Sequence, residues 1–247
     1  MIRPAAFGFN EETAANNYFQ SNPDISKEEL QQRALTEFDI MVQTLRSHDI
    51  NVVVLEDTKE PAKPDAIFPN NWLSTSPDGV VTVFPMYAPN RRIEKRDEIL
   101  EQLAAAFVIR DLQDWSEYEA EGRFLEGTGS MIIDYENKMI YACVSERTSL
   151  SVLEKYAATN GYQAIVFLAT DKNGMPVYHT NVAMALGEDF CVLCEEAIEE
   201  EWELIAVRQL LESTNHSIIA LPKIEEVEGG SVRCMIAEIF LTQNELL

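Results

Sequence analysis

One supersecondary pattern recurs along the chain, and this recurrence limits the folds that the chain can adopt. A polar loop, a predicted hairpin, a helix and a strand follow one another at intervals of roughly 50 to 60 residues, beginning near Asp65, Glu126 and His179. A related helix–strand pair precedes the first repeat. Because no such unit can bury its apolar face alone, the units must pack against one another. The sequence therefore predicts an α/β protein in which similar units have a radial or stacked arrangement.

Capping residues place the helices of this pattern. Ser26, with Glu29 three residues later, forms a capping box, which predicts a helix that ends near Ser47. Gly161 predicts the C-terminal end of another helix, which opens near Ser145. Both helices have apolar residues at helical spacing, so each is expected to bury one face.

Strands and loops follow from apolar and acidic runs. A buried strand is predicted at 51–55. Further along the chain, a helix is predicted at 93–106, a short strand at 107–110 and an acidic loop at 111–122. Near the C-terminus, Gly229 and Gly230 lead into Cys234 and an apolar run at 235–240. This run is typical of a strand, so Cys234 is expected at a strand end, where sites are usually built.

The overall charge excludes several classes of partner. The 247 residues include 42 acidic side chains against 19 lysines and arginines, which gives a net charge of -23. Such a surface repels phosphate backbones and anionic lipids, so neither nucleic acid nor a membrane is an expected partner. No apolar run reaches the roughly 18 residues that a membrane span requires.

Length, cysteine content and the N-terminus indicate the class of protein. Residues 1–247 are expected to form one domain, and the sequence leaves a homo-oligomer open. No signal-like apolar core follows Met1, and four cysteines in a chain of this length do not make a disulfide framework. A cytoplasmic, reducing location is therefore expected.

Four residues with catalytic potential stand at comparable positions in the repeats. Asp65, Glu126 and His179 each precede a predicted hairpin, and Cys234 precedes the last apolar run. If the units surround an axis, these positions converge. A thiol and an imidazole supply a nucleophile and a general acid/base, and carboxylates beside them suit planar N–H donors. The ordinary structural alternatives are a turn former, a solvated carboxylate, a structural histidine and a small buried hydrophobe.

Other motifs carry weaker chemistry. Cys191 and Cys194 have the spacing of a metal or redox pair, but they lie within an apolar strand that separates the two thiols. No metal site is therefore predicted. Ser130 and Ser231 lack the G-x-S-x-G turn that presents a hydrolase nucleophile.

Five ordered motifs resemble the guanidino-group-modifying superfamily, which includes amidinotransferases, arginine deiminases and dimethylarginine hydrolases. In chain order they are residues 64–72 (PDAIFPNNW), 88–92 (APNRR), 124–130 (FLEGTGS), 178–181 (YHTN) and 229–235 (GGSVRCM). The nearest subgroup is that of the citrulline-utilisation hydrolase-type, amidinotransferase-like proteins. The resemblance runs from end to end and implies a pentein-like α/β-propeller, in which ββαβ modules surround a central channel that holds the site.

The resemblance also implies roles for individual residues. Cys234 is the expected nucleophile, His179 the general acid/base, and Glu126 the carboxylate that helps to grip the substrate nitrogens. The residues expected to bind the substrate are Asp65, Asn71, Arg91, Arg147 and Asn181. No metal or organic cofactor is implied, and the expected partner is a small guanidino or ureido molecule.

This chain departs from the pattern of its relatives in two respects. Asn71 and Asn181 stand where several relatives carry aspartate, and the loss of negative charge favours a neutral ureido group, as in citrulline, over the guanidinium of arginine. Relatives also carry a further module before the cysteine, whereas here Leu221 leads through 222–228 to Gly229. One module is therefore shortened or missing, so either the ring closes with fewer units or the channel wall is open.

Together these expectations predict a cysteine-dependent hydrolase of non-peptide C–N bonds, with residues 1–247 as one amidinotransferase-like catalytic domain. The expected substrate is a citrulline- or arginine-like amino acid. Two alternatives remain. If an amine replaces water, the same residues make an amidinotransferase, and if the shortened region disables the site, the chain is a relative that only binds a ligand.

Overall fold

The computed structural model describes residues 1–14, 16–17, 20, 22–221 and 232–244. Its N-terminal part contains strand β1 (Ile2–Arg3), the short helix α1 (Glu11–Ala14), helix α2 (Lys27–Ser47) and strand β2 (Leu55–Glu56). β1 and β2 are parallel neighbours, so α2 is the crossover between them. The Ser26 hydroxyl accepts a hydrogen bond from the Glu29 amide at 3.1 Å, which confirms the predicted cap of α2.

Three units follow in chain order, and each combines a hairpin, a crossover helix and a third strand. The first unit contains β3 (Leu73–Thr75), β4 (Val80–Val83), α3 (Pro89–Arg92), α4 (Asp97–Ala106) and β5 (Asp111–Asp114). The second contains α5 (Gly127–Ser130), β6 (Ile132–Asp134), β7 (Met139–Cys143), α6 (Leu150–Asn160) and β8 (Gln163–Phe167). The third contains α7 (Thr180–Ala183), β9 (Met184–Leu186), β10 (Phe190–Cys194), α8 (Glu201–Ser213) and β11 (Ser217–Leu221).

The three sheets have the same topology. In each, the first two strands are antiparallel and the third strand is parallel to the second. A parallel pair needs a long crossover connection, and α4, α6 and α8 supply it. This arrangement confirms the predicted α/β fold of repeated ββαβ units.

Each sheet of the first two units packs between two helices. In the second unit, Ile140 of β7 shares a hydrophobic cluster with Val152 of α6, the helix of the same unit. The next residue, Tyr141, points to the opposite face and shares a cluster with Val207 of α8, the helix of the third unit. Neighbouring units are therefore joined by a helix that is buried between two sheets.

Short helical turns at the starts of the units meet at the centre of the structure. They are the 3₁₀ helix Pro69–Asn71, α5, α7 and the 3₁₀ helix Val232–Met235. α5 packs against both Pro69–Asn71 and α7, and Val232–Met235 packs against Pro69–Asn71. This contact between turns brings residues that are far apart in the sequence into one place.

Three predicted boundaries in the first half are wrong. The strand of the first unit is β5, inside the segment expected to be an acidic loop, and not residues 107–110. Most side chains of β5 are exposed, so its sequence has no apolar pattern that would predict a strand. Its position depends on backbone pairing with β4. The strand expected at 51–55 begins only at Leu55, and the helix expected at 93–106 begins only at Asp97.

The strand expected at 235–240 does not form, and Cys234 lies in the 3₁₀ helix Val232–Met235 and not at a strand end. Instead of a strand ladder, the Thr75 hydroxyl donates to the carbonyl of Glu238 at 3.0 Å and accepts from the amide of Phe240 at 2.8 Å. Gly229 and Gly230, like the rest of the shortened interval at 222–231, lie outside the described residues. None of the helices in the described ranges is long and apolar enough to span a membrane.

Candidate active site

Glu126 and His179 form a buried pair between the second and third units. Each precedes a short helix, Glu126 before α5 and His179 before α7, and these two helices pack together. His179 Nε2 lies 2.8 Å from Glu126 Oε2, and the two side chains are 2% and 0% exposed. Two residues that are 53 positions apart therefore make a direct hydrogen bond.

The protonation of this pair follows from its surroundings. Burial acts to raise the pKa of Glu126, but Arg147, His179 and Arg91 together lower it to about 2. Burial lowers the pKa of His179 to about 4, although the hydrogen bond to Glu126 opposes this shift. At neutral pH the carboxylate is therefore ionised and the imidazole is neutral. The Nε2–H group donates to Glu126, which leaves Nδ1 as the nitrogen that can accept a proton.

Cys234 lies beside the same short helix that His179 precedes. The Asn181 side chain donates from Nδ2 to the Cys234 sulfur at 3.0 Å. Burial raises the pKa of the Tyr178 phenol, and negative charge on Cys234 adds to this shift. An N–H donor aimed at sulfur orients the side chain and stabilises negative charge on it.

Two buried arginines neutralise Glu126. Arg147 Nη1 lies 3.5 Å and Arg91 Nη1 4.0 Å from Glu126 Oε2. The guanidinium of Arg147 also stacks over the ring of Tyr178, 4.8 Å from its centroid. Arg147 Nε donates to Asn16 Oδ1 at 2.9 Å. These contacts explain why a carboxylate without access to water remains charged.

The donors of Arg91 are occupied by protein groups. Its Nε and Nη2 donate to the two oxygens of Glu94, both at 2.9 Å. Its Nη1 donates to Asn71 Oδ1 at 2.7 Å, and Nη2 also reaches the carbonyl of Phe68 at 3.2 Å. Because arginine has only donors, this contact fixes the Asn71 amide with its oxygen towards Arg91 and its Nδ2 away from it.

Asp65 lies on the other side of Arg91 and is covered by the N-terminal segment. Its Oδ2 is 3.8 Å from Arg91 Nε and accepts a hydrogen bond from Asn10 Nδ2 at 2.7 Å. The Thr13 hydroxyl donates to the same oxygen at 3.3 Å. Together with the contact of Asn16 to Arg147, these bonds place Asn10, Thr13 and Asn16 against the groups that were expected to hold the substrate.

Gly129 separates Asn71 from His179 at the centre of the site. A Cβ atom there would lie 2.5 Å from Asn71 Nδ2 and 2.9 Å from the His179 ring. Only glycine leaves room for both side chains, so the close approach of α5 to its neighbours depends on this residue.

Gly129→Ala is expected to destabilise the fold by about 1–3 kcal/mol and to displace His179 or Asn71, because the added methyl overpacks a buried site. Urea unfolding measures the stability, and turnover per folded molecule measures the displacement. Gly8→Ala is the matched control, since nothing lies within 4 Å of a Cβ at that position. Equal stability and turnover in the two variants would contradict the crowding described here.

The structure brings all eight predicted site residues into one connected group. Side-chain contacts join Cys234 to Asn181, His179 to Glu126 and Glu126 to Arg147, with Arg91, Asn71 and Asp65 joined through Arg91. The helix turn of α7 joins Asn181 to His179. Sequence reasoning did not assign roles to the neighbours Glu94, Asn10, Asn16 and Tyr178. Glu94 could have been found three residues after Arg91, on the same helical face.

Of the weaker motifs, the cysteine pair takes no part in this group, Ser130 bonds to its backbone, and Ser231 lies outside the described residues. Cys191 and Cys194 lie along β10, and Cys191 is buried within the core of the third unit. The Ser130 hydroxyl donates to the carbonyl of Arg147 at 2.8 Å and accepts from the amide of Glu126 at 2.9 Å, which is a structural role. Across the described ranges, no group of three or more histidine, cysteine or acidic residues could hold a metal ion.

A family model described as eukaryotic N,N-dimethylarginine dimethylhydrolase matches residues 3–223. The chain belongs to this family. The matched region contains Asp65, Glu126 and His179, and it ends before Cys234. Membership of the dimethylarginine dimethylhydrolase family places the chain among the cysteine-dependent hydrolases of non-peptide C–N bonds. Among curated proteins, no sequence matches this chain.

Solved structures of the same superfamily share the fold at low sequence identity. The N-terminal domain of ArgZ with bound substrate, an arginine dihydrolase from the ornithine–ammonia cycle in cyanobacteria, has a TM-score of 0.66 and 14% identity over 89% of this chain and 74% of its own. Unliganded AgrE has a TM-score of 0.64 and 16% identity over 89% of this chain and 30% of its own. A dimethylarginine dimethylaminohydrolase adduct with S-methyl-L-thiocitrulline has a TM-score of 0.58 and 17% identity, over 90% and 74%. These likenesses confirm the pentein-type fold.

Proposed function

We propose that this protein hydrolyses the guanidino or ureido group of an amino acid through a covalent intermediate on Cys234. One observation carries the proposal: the Cys234 sulfur accepts a hydrogen bond from Asn181, two residues after the histidine of the buried Glu126–His179 pair, so that three separate parts of the sequence meet. A base, an ionised carboxylate and a thiol in one enclosed place are the components of nucleophilic catalysis at a planar carbon. Residues 1–247 act as one catalytic domain in this proposal.

In the first step, the thiol proton passes to His179 Nδ1 and the sulfur attacks the central carbon of the substrate. The bond from this carbon to one nitrogen breaks, and His179 returns the proton to the leaving nitrogen. A guanidino substrate leaves a thiouronium on Cys234, and a ureido substrate leaves a thioester-like carbamoyl group. Glu126 stabilises the imidazolium that exists between the two transfers, because it accepts from Nε2.

In the second step, water releases the intermediate. His179 removes a proton from the water as it attacks the carbon, and the carbon–sulfur bond breaks. The proton then restores the thiol, so the enzyme returns to its starting state. The chemistry needs no change in oxidation state. If an amine takes the place of water, the same steps transfer the group to that amine, which is the amidinotransferase alternative.

Two asparagines favour a ureido substrate. Within the described structure, Asn71 Nδ2 and Asn181 Oδ1 are buried and have no hydrogen-bond partner. A ureido group has one carbonyl to accept from the Asn71 amide and N–H groups to donate to the Asn181 oxygen. A guanidinium has donors only and would leave Asn71 Nδ2 unpaired, which costs about 1–3 kcal/mol. Glu94 holds Arg91, and Arg91 holds the oxygen of Asn71, so the amide nitrogen of Asn71 has a fixed direction. This fixed direction supports the preference for a ureido group.

The remaining polar residues divide between binding and positioning. Asp65 and Glu126 are proposed to accept from the substrate nitrogens, and Asp65 must then release its contact with Asn10. Arg147 is proposed to reach the carboxylate of the amino-acid substrate when Asn16 moves away. Arg91, whose nitrogens are already occupied, is proposed to position Asn71 and does not bind the substrate directly.

A panel of substrates tests this proposal. Purified protein is incubated with citrulline, arginine and N-methylated arginines, and the release of ammonia or methylamine is measured. We expect kcat/KM for citrulline to exceed that for arginine by at least about tenfold, since one unpaired buried donor costs more than 1 kcal/mol. Faster turnover of arginine would overturn the ureido preference. Binding without turnover of any of them would favour the catalytically impaired relative, which the shortened interval before Cys234 suggested.

A further inference from the structure

One face of the third unit's sheet is uncovered. Phe190, Ile219 and Leu221 are 42%, 48% and 44% exposed, although all three are large and apolar. Val192 pairs with both Ile219 and Ala185, so the strands align their apolar side chains on the same face. We call this surface the open face, and its residues are Ala185, Phe190, Val192, Ile219 and Leu221. On the opposite face of the sheet, Cys191 and Leu193 of the central strand are buried.

The corresponding face is covered by a helix everywhere else in the fold. In the second unit, Tyr141 and Phe167 share a cluster with Val207 and Leu211 of α8. In the first unit, Phe84 at the end of β4 shares a cluster with α6 of the second unit. Leu55 of the N-terminal sheet shares a cluster with α4 of the first unit. In each of these cases the helix of the next unit covers the sheet face. No described helix covers the corresponding face of the third sheet.

The solved relatives contain regions that do not align with this chain. The alignment with the N-terminal domain of ArgZ covers 74% of that domain and 89% of this chain. The element that would cover the open face is not provided by the described part of the chain.

Electrostatics restricts what can cover the open face. Glu188 and Asp189 form the turn between β9 and β10 at its margin, and the whole chain carries a net charge of -23. An apolar surface with an acidic margin is complementary to an element that is apolar on one side and basic at its edges. An acidic or neutral helix would lack this attraction.

A second copy of this chain does not fit the open face. If two open faces met, each acidic margin would lie against a chain of net charge -23, and the like charges would repel. The exposed apolar strip of α8, with Trp202 and Ile205 at 65% and 46% exposure, lies on the opposite side of the sheet. A contact between this strip and the open face of another copy would be head-to-tail and would not close into a dimer.

We propose that the open face is the docking site for an amphipathic helix of another protein, apolar towards the sheet and rich in lysine or arginine at its margins. The bound helix would occupy the place that α6 and α8 hold on the preceding sheets. In an interface of this kind, the apolar residues of the helix at i, i+3, i+4 and i+7 contact the sheet. The proposal does not depend on the proposed reaction, because none of its residues belongs to the site around Cys234.

Peptide probes test this surface. One synthetic amphipathic helix of about 18 residues carries leucines on one face and lysines at its margins, and a second has glutamates in place of the lysines. Fluorescence anisotropy measures their binding to the full chain and to Ile219→Lys and Leu221→Lys, which change exposed side chains of an edge strand. Ile205→Lys is the matched control, since Ile205 is equally apolar and exposed on the other side of the sheet. Unfolding curves establish that the variants are folded.

Wild type and Ile205→Lys are expected to bind the lysine peptide alike, whereas each open-face variant binds it at least about tenfold more weakly. The glutamate peptide is expected to bind wild type about tenfold more weakly than the lysine peptide. Equal binding by Ile219→Lys, or equal binding of the two peptides, would overturn the proposal. A dimer in light scattering that Ile219→Lys dissolves would also overturn it, because a second copy would then cover the face.

Discussion

Cys234→Ser is expected to reduce kcat by at least about 10⁴-fold while the fold and the binding of substrate remain. Serine has nearly the same size, and its hydroxyl can still accept the hydrogen bond from Asn181 Nδ2. Its oxygen, however, is a far weaker nucleophile than a thiolate, and His179 would have to remove a much less acidic proton. The measurement is release of ammonia from the best substrate of the panel, with substrate binding followed by calorimetry.

Cys143→Ala provides the comparison, because Cys143 is also buried but lies in the hydrophobic cluster that the second and third units share. Burial raises the pKa of the Cys143 thiol to about 11 and that of Cys191 to about 12. Neither can supply a thiolate at neutral pH, so Cys143→Ala should keep its turnover per folded molecule. Iodoacetamide should label Cys234 before either of these thiols. A Cys234→Ser protein with turnover similar to wild type would remove the covalent mechanism.

The units of the fold could be predicted because strands such as β7 are apolar runs and because a helix such as α6 ends at a capping glycine. The hairpin of β6 and β7 and the helix α6 with its Gly161 cap produce local patterns that tertiary packing does not override. β5 is different: its sequence, Asp111–Asp114, is mainly polar, and its position depends on backbone bonds to a strand nearly 30 residues earlier. Such a strand carries no pattern of its own.

The site could be predicted only as far as its residues share a position in the repeat. Glu126 and His179 precede equivalent hairpins, and the contact between α5 and α7 follows from this symmetry. The surroundings of Cys234 do not follow from the repeat. Cys234 lies in a 3₁₀ turn, and the apolar run after it bonds to the Thr75 side chain and forms no strand. The hydrogen bonds from Arg91 to both oxygens of Glu94 likewise depend on side-chain geometry, which a sequence motif does not specify.

Glu126→Gln is expected to reduce turnover by about 10²–10⁴-fold and to destabilise the fold by about 3–5 kcal/mol at pH 7. The substitution keeps the shape of the side chain but removes the charge that Arg147 and Arg91 face at 3.5 and 4.0 Å. The buried guanidinium of Arg147 is then poorly compensated, whereas Arg91 keeps its pair with Glu94, and the imidazolium of His179 loses its counter-charge. Glu29→Gln is the control, because its ion pair with Arg33 is exposed and should contribute less than about 0.5 kcal/mol.

The pH dependence of this difference distinguishes a buried charge from a lost hydrogen bond. The pKa of Glu126 falls from its ordinary value of 4.5 to about 2 in the folded chain, so its charge stabilises the native state fully above pH 4.5. This contribution, on the order of 3 kcal/mol, is lost as the pH falls from 4.5 to 2, where the carboxyl takes up a proton and resembles glutamine. The gap in unfolding free energy between wild type and Glu126→Gln should therefore be largest near neutrality and should narrow below pH 4.5. Urea titrations at a series of pH values measure it, and a gap that stays constant down to pH 2 would show that the charge of Glu126 does not hold the site together.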